Sequence, residues 1–218
     1  MKKILIYGLS TLMMAASTVT FTGCIEETEP TDGITADQVE DGSSDNVEIL
    51  LRGCASNITA LWTQSDHWGW GYGALMRIRD LQSGDMALNP DGAKYNQFWY
   101  WYYNKGMGRQ YLYAQFQWEY QMGLVNSANK VIKMVDPETA DDAAKGYLGA
   151  AYAFRAMTYL DMAREYEFLE NNETKPQSPE GNDIKGLTVP IIREDITEEE
   201  SRNNPRATRE EMAAFIKE

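Results

Sequence analysis

Residues 111–135, YLYAQFQWEYQMGLVNSANKVIKMV, carry the strongest helical pattern in the chain. Their apolar side chains recur every three or four positions over more than six turns, which places them on one face of a helix. That face comprises Leu112, Phe116, Tyr120, Leu124, Ala128, Val131 and Val135. The segment therefore predicts an α-helix from Tyr111 to Val135, ended by the pair Asp136-Pro137.

A second long helix is predicted in residues 141–168, DDAAKGYLGAAYAFRAMTYLDMAREYEF. Thr139 is its expected N-cap, with Asp142 three places on. Apolar residues cover well over half of the circumference, so this helix must pack against neighbours on more than one side. Because the connection is short, the two helices should form an antiparallel hairpin. The alternation of small and large side chains resembles a tetratricopeptide-type hairpin, although no internal repeat of about 34 residues is found.

The rest of the chain predicts an all-α fold in which tetratricopeptide-like helical hairpins are joined by long irregular loops. Ser44 or Asp45 can cap a first helix. Its apolar residues are Val47, Leu50, Leu51, Cys54, Ile58 and Leu61. The segment HWGWGYG, residues 67–73, is expected to be flexible backbone, with Trp68 and Trp70 as packing residues or as secondary ligand contacts.

The C-terminal third combines a loop, an extended segment and a final helix. Leu169–Gly186 is rich in Asn, Pro, Gly and Ser and is interpreted as a long loop. Leu187–Arg193 should be extended, at an edge or as a strap, because Pro190 excludes a central strand. The last helix is predicted to begin at Thr208. It stops at Glu218 without a C-cap glycine, from which we expect a protein shortened at its C-terminus.

The N-terminus has the pattern of an export signal. Met1-Lys2-Lys3 is followed by twenty uncharged residues, but their many Ser and Thr residues disfavour a permanent transmembrane helix. Phe21-Thr22-Gly23 before Cys24 resembles the lipobox of bacterial lipoproteins, in which the cysteine is acylated. We therefore predict a lipoprotein signal peptide at 1–23, an acidic tether at 24–46 and a helical domain at 47–218.

The charge balance is strongly acidic. The chain has 20 basic and 33 acidic residues, a net charge of −13, and loss of residues 1–23 would take it to −15. Nucleic-acid binding is therefore not expected, because it depends on clustered lysine and arginine. The acids that follow Cys24 resemble the surface-export signal of Bacteroidota lipoproteins, the alternative being a solvated acidic linker. Cys54 is expected to be a small buried residue, since acylation of Cys24 leaves it no disulfide partner.

Several segments in a fixed order resemble the SusD/RagB family of outer-membrane nutrient-binding lipoproteins. After the lipobox and its acids come Arg155-Ala156-x-x-Tyr159-Leu160-x-Met162-Ala163-x-x-Tyr166, then Gly186-Leu187-Thr188-Val189-Pro190-Ile191-Ile192, then Pro205-Arg206-Ala207-Thr208-x-Glu210-Glu211. The likeness covers nearly all of the mature chain but only the N-terminal portion of family members. Glu167 departs from the family, where a glycine is common, and the Leu169–Gly186 loop is an apparent insertion.

The resemblance implies a lipid-anchored outer-membrane protein that faces the cell exterior. It implies capture of oligosaccharides, or in some branches peptides, and their delivery to a SusC-like TonB-dependent transporter. No catalysis and no cofactor are expected. The alternatives are a helical-repeat scaffold that binds another protein and, least favoured, a secreted hydrolase.

The candidate ligand site is the aromatic segment Tyr95–Tyr120, whose 26 residues hold 12 of the 25 aromatic residues. Aromatic planes stack on the apolar faces of sugars, and nearby amides bond the hydroxyls. Trp99, Trp101 and Asn104 are the predicted ligand-binding residues. Phe116 and Tyr120 lie on the buried helix face and are assigned to packing.

Other polar residues have structural interpretations. His67 is the only histidine, and nothing in its spacing supports a metal site or a catalytic triad. Arg155 lies in an otherwise apolar helix and should pair with a carboxylate or with carbonyl groups between helices. The run Glu198-Glu199-Glu200 is interpreted as a solvated turn or helix start.

Overall fold

The computed structural model describes residues 44–62, 68–89, 96–103, 105–170 and 175–218. Within these residues the regular structure consists of seven helices and two isolated β-bridges. The helices are α1 Ser44–Asn57, α2 Tyr72–Ser83, α3 Asn96–Tyr102, α4 Leu112–Met134, α5 Asp142–Tyr166, α6 Glu198–Arg202 and α7 Arg209–Lys217. The all-α prediction is confirmed, whereas the tetratricopeptide-like detail stays a prediction.

Helices α4 and α5 form the predicted antiparallel hairpin. In the first half of α4, Gln121 Nε2 donates to Glu165 Oε2 at the end of α5, at 2.7 Å. Further along, Arg155 Nη1 donates to Asn129 Oδ1 at 2.9 Å. Helix α5 also packs against α1 and α7. The prediction that it needs neighbours on more than one side is therefore confirmed.

The cap of α5 differs from the prediction. Asp141 is the N-cap, and its Oδ1 accepts from Ala144 N at 2.7 Å. Thr139 instead donates through Oγ1 to Asp136 Oδ2 within the connecting turn, at 3.1 Å. The turn is closed by Ala140 N donating to Asp136 O, which delays the helix start by two residues.

Among the described residues the core consists of three clusters, and α4 contributes to each of them. The aromatic cluster is Trp68, Ala74, Leu75, Ile78, Trp101, Tyr113, Phe116, Tyr120 and Leu124. The turn cluster is Val47, Cys54, Val131, Ile132, Val135, Ala144, Leu148 and Ala151. The strap cluster is Val125, Tyr159, Met162, Val189, Ala207, Met212 and Phe215. Burial of the unpaired Cys54 is as predicted.

Two predicted core residues are exposed. Helix α1 ends at Asn57, so Leu61 falls beyond it and is 61% exposed. Leu112 begins α4 and is 57% exposed, because the buried face starts one residue later at Tyr113. In both cases the apolar pattern in the sequence continues beyond the part of the helix that neighbouring helices cover.

The glycine-rich segment before α2 is joined by hydrogen bonds to the residues that follow α1, and the flexible backbone expected there stays a prediction. Gly71 has φ 80° and ψ −151°, a conformation reserved for glycine. Ile58 O accepts from Tyr72 N at 2.8 Å and from Tyr120 Oη at 3.1 Å. A Cβ on Gly71 would lie 2.3 Å from that oxygen, so only glycine fits.

Residues 187–193, the strap, are extended as predicted. Thr188 N donates to Ala207 O at 2.8 Å, and Ala207 N donates to Val189 O at 3.1 Å. The Arg206 guanidinium donates to three carbonyl oxygens, those of Thr188, Tyr166 and Leu187, at 2.5 to 2.8 Å. These bonds tie the strap to the end of α5 and to the start of α7, which begins after the predicted cap Thr208.

Candidate ligand-binding site

Helix α3 divides the aromatic run NQFWYWY between the core and the surface. Trp101 is 3% exposed and packs edge-on against Trp68, with ring centroids 5.2 Å apart. It also contacts Phe98 at 5.6 Å and Tyr113 at 5.5 Å. These buried contacts fix the helix and determine which rings remain outside.

The outward rings form a group that we name the aromatic platform: Trp99, Tyr100, Tyr102 and Tyr103. Tyr100 and Tyr103 are each 51% exposed, and Trp99 is half-buried. The Trp99 and Tyr103 rings meet edge to face at 4.6 Å, and Trp99 lies near-parallel to Tyr102 at 6.4 Å. Because large exposed aromatic groups are unusual on a soluble surface, this group is a candidate for ligand contact.

The predicted ligand residues are separated by this arrangement. Trp99 belongs to the platform. Trp101 is buried in the core among Trp68, Phe98 and Tyr113, so the prediction that its indole stacks on a ligand is wrong. Asn104 lies outside the described residues, as do Cys24 and His67. The assignment of Phe116 and Tyr120 to packing is confirmed.

A polar network joins α2, α4 and α5 below the surface. Arg79 on α2 pairs with Asp161 Oδ2 at 3.5 Å and with Glu165 Oε1, both on α5. Tyr72 Oη donates to Asp161 Oδ2 at 2.6 Å. Glu165 Oε2 accepts from Gln121 and also from Gln117. Burial, followed by the hydrogen bond to Asp161, raises the pKa of Tyr72.

Sequence reasoning did not identify this network. Asp161 and Glu165 are four residues apart on one helix, which places both carboxylates on the same face. This spacing of two acidic residues is the sequence signal from which part of the network could be predicted. Arg79 is over eighty residues away from them along the chain, so only the packing of α2 against α5 brings the guanidinium to the carboxylates.

Beside the network lies a cavity of about 370 Å³, which we name the Tyr166 cavity. Its polar lining comprises Arg79, Gln82, Tyr113, Gln117, Glu165 and Tyr166. Burial raises the pKa of Tyr113 to about 12, so its hydroxyl is protonated at neutral pH. Burial also raises the pKa of Tyr166. The cavity therefore presents neutral phenols beside an ion pair.

A wider groove of about 1170 Å³ lies among the strap, α6 and α7. Phe215 and Ile191 contribute apolar surface to it, and Asp195, Glu199 and Glu211 contribute carboxylates. Three of the groove's acids already have partners, since Glu200 and Glu211 form the capping boxes of α6 and α7 and Glu218 pairs with Arg193. The groove is thus acidic with an apolar portion.

Arg155 has the structural role that its position predicts. Its side chain is 5% exposed and donates to Glu194 Oε2 at 2.5 Å as well as to Asn129. The guanidinium lies 4.9 Å from the centre of the Phe215 ring. Arg155 therefore joins α4, the strap end and α7.

Comparisons with family models and with curated proteins give no further guide to this site. No protein-family model matches the chain, and no curated protein matches it. In the part of the chain that the structure describes, no three His, Cys, Asp or Glu side chains are grouped so as to hold a metal ion. None of the described helices has both the length and the apolar composition needed to cross a bilayer.

Proposed function

We propose that this protein is a cell-surface lipoprotein of the SusD/RagB kind, which binds oligosaccharides and delivers them to a SusC-like TonB-dependent transporter in the outer membrane. The observation that carries the proposal is the aromatic platform. Two of its four rings are about half exposed, on a helix whose other face is anchored by Trp101. The export signal and the lipobox at Cys24 support the cellular location.

The platform suits a sugar ligand for a physical reason. A pyranose ring has an apolar face of C–H groups, which gains by covering an aromatic plane, while its edge of hydroxyls remains hydrated or bonds to polar groups. Tyrosine adds a phenolic hydroxyl that can donate to or accept from such a hydroxyl. Lys105 is exposed just after the platform and offers a charged donor. The proposed activity is binding without turnover.

Affinity electrophoresis through gels that contain polysaccharides tests the proposal. Combined replacement of Tyr100 and Tyr103 by Ala should weaken retention about tenfold, since two stacking surfaces are lost. Tyr152→Ala is the matched control, because Tyr152 is an exposed aromatic residue on α5, outside the platform. Trp101→Ala is unsuitable, since it removes a core side chain. Equal retention of the wild type and the double variant on every polysaccharide tested would refute the proposal.

The anchor has its own test. When cells that express the chain are fed a palmitate analogue, the wild-type protein should become labelled and the Cys24→Ser variant should not. An unlabelled wild type recovered as a free species would contradict the lipoprotein assignment. Product analysis after long incubation with the retained polysaccharide should show no cleavage.

The second candidate is a helical scaffold that binds another protein. The groove among the strap, α6 and α7 favours it, because an apolar portion beside Asp195, Glu199 and Glu211 would suit a basic segment. Under this alternative, Glu199→Lys should weaken partner binding, whereas the platform variant should not. Sugar retention that depends on Tyr100 and Tyr103 decides for the first candidate.

A further inference from the structure

Helix α5 presents a narrow stripe of residues to solvent, which we name the α5 stripe. Its members recur every three or four positions, so they lie on one face of the helix. They are Asp142, Gly146, Gly149, Ala153, Met157, Leu160 and Arg164, and all seven are exposed. Helices α1, α4 and α7 pack against α5. The middle of the stripe is apolar, and each end carries one charge.

The two glycines of the stripe have no explanation within the described part of the chain. Gly146 and Gly149 lie inside a helix of 25 residues, although glycine is among the poorest helix formers. Neither has a positive φ, and a Cβ at either position would have no atom of the described residues within 4 Å. Neither backbone conformation nor crowding therefore requires glycine here. A missing side chain does, however, allow another helix to approach the backbone closely.

The large apolar side chains of the stripe mirror its glycines about Ala153. Met157 and Leu160 are 37% and 43% exposed. Met157 follows Ala153 by four residues and Gly149 precedes it by four, while Leu160 and Gly146 each lie seven residues from it. If two copies of α5 pack antiparallel with their Ala153 residues opposed, each large side chain meets a glycine of the other copy. Helices pack closely when the side chains of one fill the gaps of the other.

The charged ends of the stripe follow the same symmetry. Asp142 precedes Ala153 by eleven residues and Arg164 follows it by eleven, so each Arg164 lies opposite Asp142 of the other copy. Among the described residues neither side chain forms an ion pair within the chain. Lys145, at the border of the stripe, comes opposite Asp161 and so adds no repulsion. A parallel pair in register would instead oppose like charges, so the charges select the antiparallel arrangement.

We propose that the α5 stripe is a homodimer interface, in which two copies of this chain pack antiparallel across a two-fold axis at Ala153. A two-fold interface must be self-complementary, and the stripe is so in both shape and charge. One helix from each copy buries less than the roughly 1,200–2,000 Å² of stable complexes, so the dimer should be weak, with Kd of about 10 μM. The inference uses neither the platform nor the lipid anchor, and so it does not rest on the proposed function.

Disulfide trapping tests the register. Because Ala153 faces its own copy across the axis, Ala153→Cys in the purified full-length chain should form a covalent dimer under mild oxidation. Ala143→Cys is the matched control, since Ala143 is also exposed on α5 but would lie about 30 Å from its own copy. The wild type gives the background from Cys24 and Cys54. A dimer band no stronger in Ala153→Cys than in Ala143→Cys would overturn the proposal.

A leucine at Gly149 separates a dimer contact from a merely exposed glycine. Gly149→Leu favours the helix, so the urea midpoint should rise when it is measured well below the dimer Kd. The new side chain would collide with Met157 of the other copy, so sedimentation velocity should show association weakened more than about tenfold. Unchanged association would overturn the proposal, as would a wild type that stays monomeric at about 200 μM.

Gly123→Leu is the matched control for this variant. Gly123 is an exposed glycine of α4 with open space around it, but its neighbours one turn away, Glu119 and Ser127, are polar. The substitution should raise the urea midpoint in the same way and should leave association unchanged. If Gly123→Leu weakened association as much as Gly149→Leu, the location of the interface on α5 would be refuted.

Charge reversal tests the antiparallel arrangement. Asp142→Arg would oppose arginines at both ends of the dimer, and Arg164→Asp would oppose aspartates. Each variant alone should associate at least about threefold more weakly than the wild type. An equimolar mixture of the two should recover association, because every arginine of the mixed dimer again meets an aspartate. Circular dichroism confirms folding, and a mixture that associates no better than either variant alone would overturn the proposed register.

Discussion

Glu194 shows how one carboxylate links the strap to the hairpin. Burial alone would raise its pKa, but a backbone hydrogen bond and the Arg155 guanidinium lower it below the ordinary value of 4.5. Since the folded pKa lies below the unfolded one, the unfolded chain takes up this proton at a higher pH. The stabilisation is therefore fully present above about pH 4.5 and is lost as the pH falls through the folded pKa.

Glu194→Gln should consequently lower the free energy of unfolding by about 1 kcal/mol at pH 7 and by much less at pH 3. Urea unfolding at the two pH values measures the difference. Glu198→Gln is the control, because Glu198 forms an exposed pair with Arg202 and should change little at either pH. If Glu194→Gln lowered the free energy of unfolding by the same amount at both pH values, the stabilising role assigned to the Glu194 carboxylate would be contradicted.

Gly71 provides a second prediction at the residue scale. Its φ of 80° with ψ of −151° and the close approach of Ile58 O both exclude a side chain. Gly71→Ala should therefore destabilise the fold by at least about 2 kcal/mol. Gly84→Ala is the matched control, since Gly84 also has a positive φ of 86° but has open space around it, and should cost about 1 kcal/mol. Equal costs for the two variants would show that the contact with Ile58 is unimportant.

Among the elements, sequence pattern predicted the long helices well and the short aromatic helix poorly. Helices α4 and α5 have continuous apolar patterns, so their bounds differ from the predictions by only one or two residues. Helix α3 has only seven residues, five of them aromatic, and no periodicity can show which rings face the core. The sequence therefore predicts Trp101 to be a ligand-binding residue, although its side chain is buried in the core. The network around Arg79 depends on contacts between distant segments, which a local pattern cannot reveal.

The N-caps of the two C-terminal helices should contribute differently to the stability of the fold. Thr197 and Thr208 both form capping boxes with a glutamate three residues on. Helix α7 buries Met212 and Phe215, whereas α6 buries no residue. Fraying of α7 therefore loses core contacts, and fraying of α6 does not.

Thr208→Ala should accordingly lower the free energy of global unfolding by about 1 kcal/mol. Thr197→Ala should leave it almost unchanged, because α6 can fray without opening the core. Chemical denaturation followed by circular dichroism measures both. Equal losses of stability in the two variants would contradict this explanation, because they would show that the burial of α7 does not determine how much its cap contributes.

At the scale of the whole molecule, α4 contributes side chains to the aromatic, turn and strap clusters and so connects them. The six tryptophans lie at positions 62, 68, 70, 99, 101 and 118. Trp68 and Trp101 belong to the aromatic cluster, and Trp62 and Trp70 pack against it. Tryptophan fluorescence therefore reports on the aromatic end of α4, while circular dichroism reports on all helices. No tryptophan is part of the turn cluster.

A cavity mutation in the turn cluster tests whether the clusters unfold together. Leu148 is 7% exposed there, and Leu148→Ala should destabilise the fold by about 3 kcal/mol. Because α4 passes through every cluster, the urea midpoint should fall by the same amount when it is followed by fluorescence and by circular dichroism. Ile78→Ala in the aromatic cluster is the reciprocal variant and should also shift both signals together. A fluorescence midpoint that Leu148→Ala leaves unchanged, while the dichroism midpoint falls, would mean that the two ends of α4 open separately.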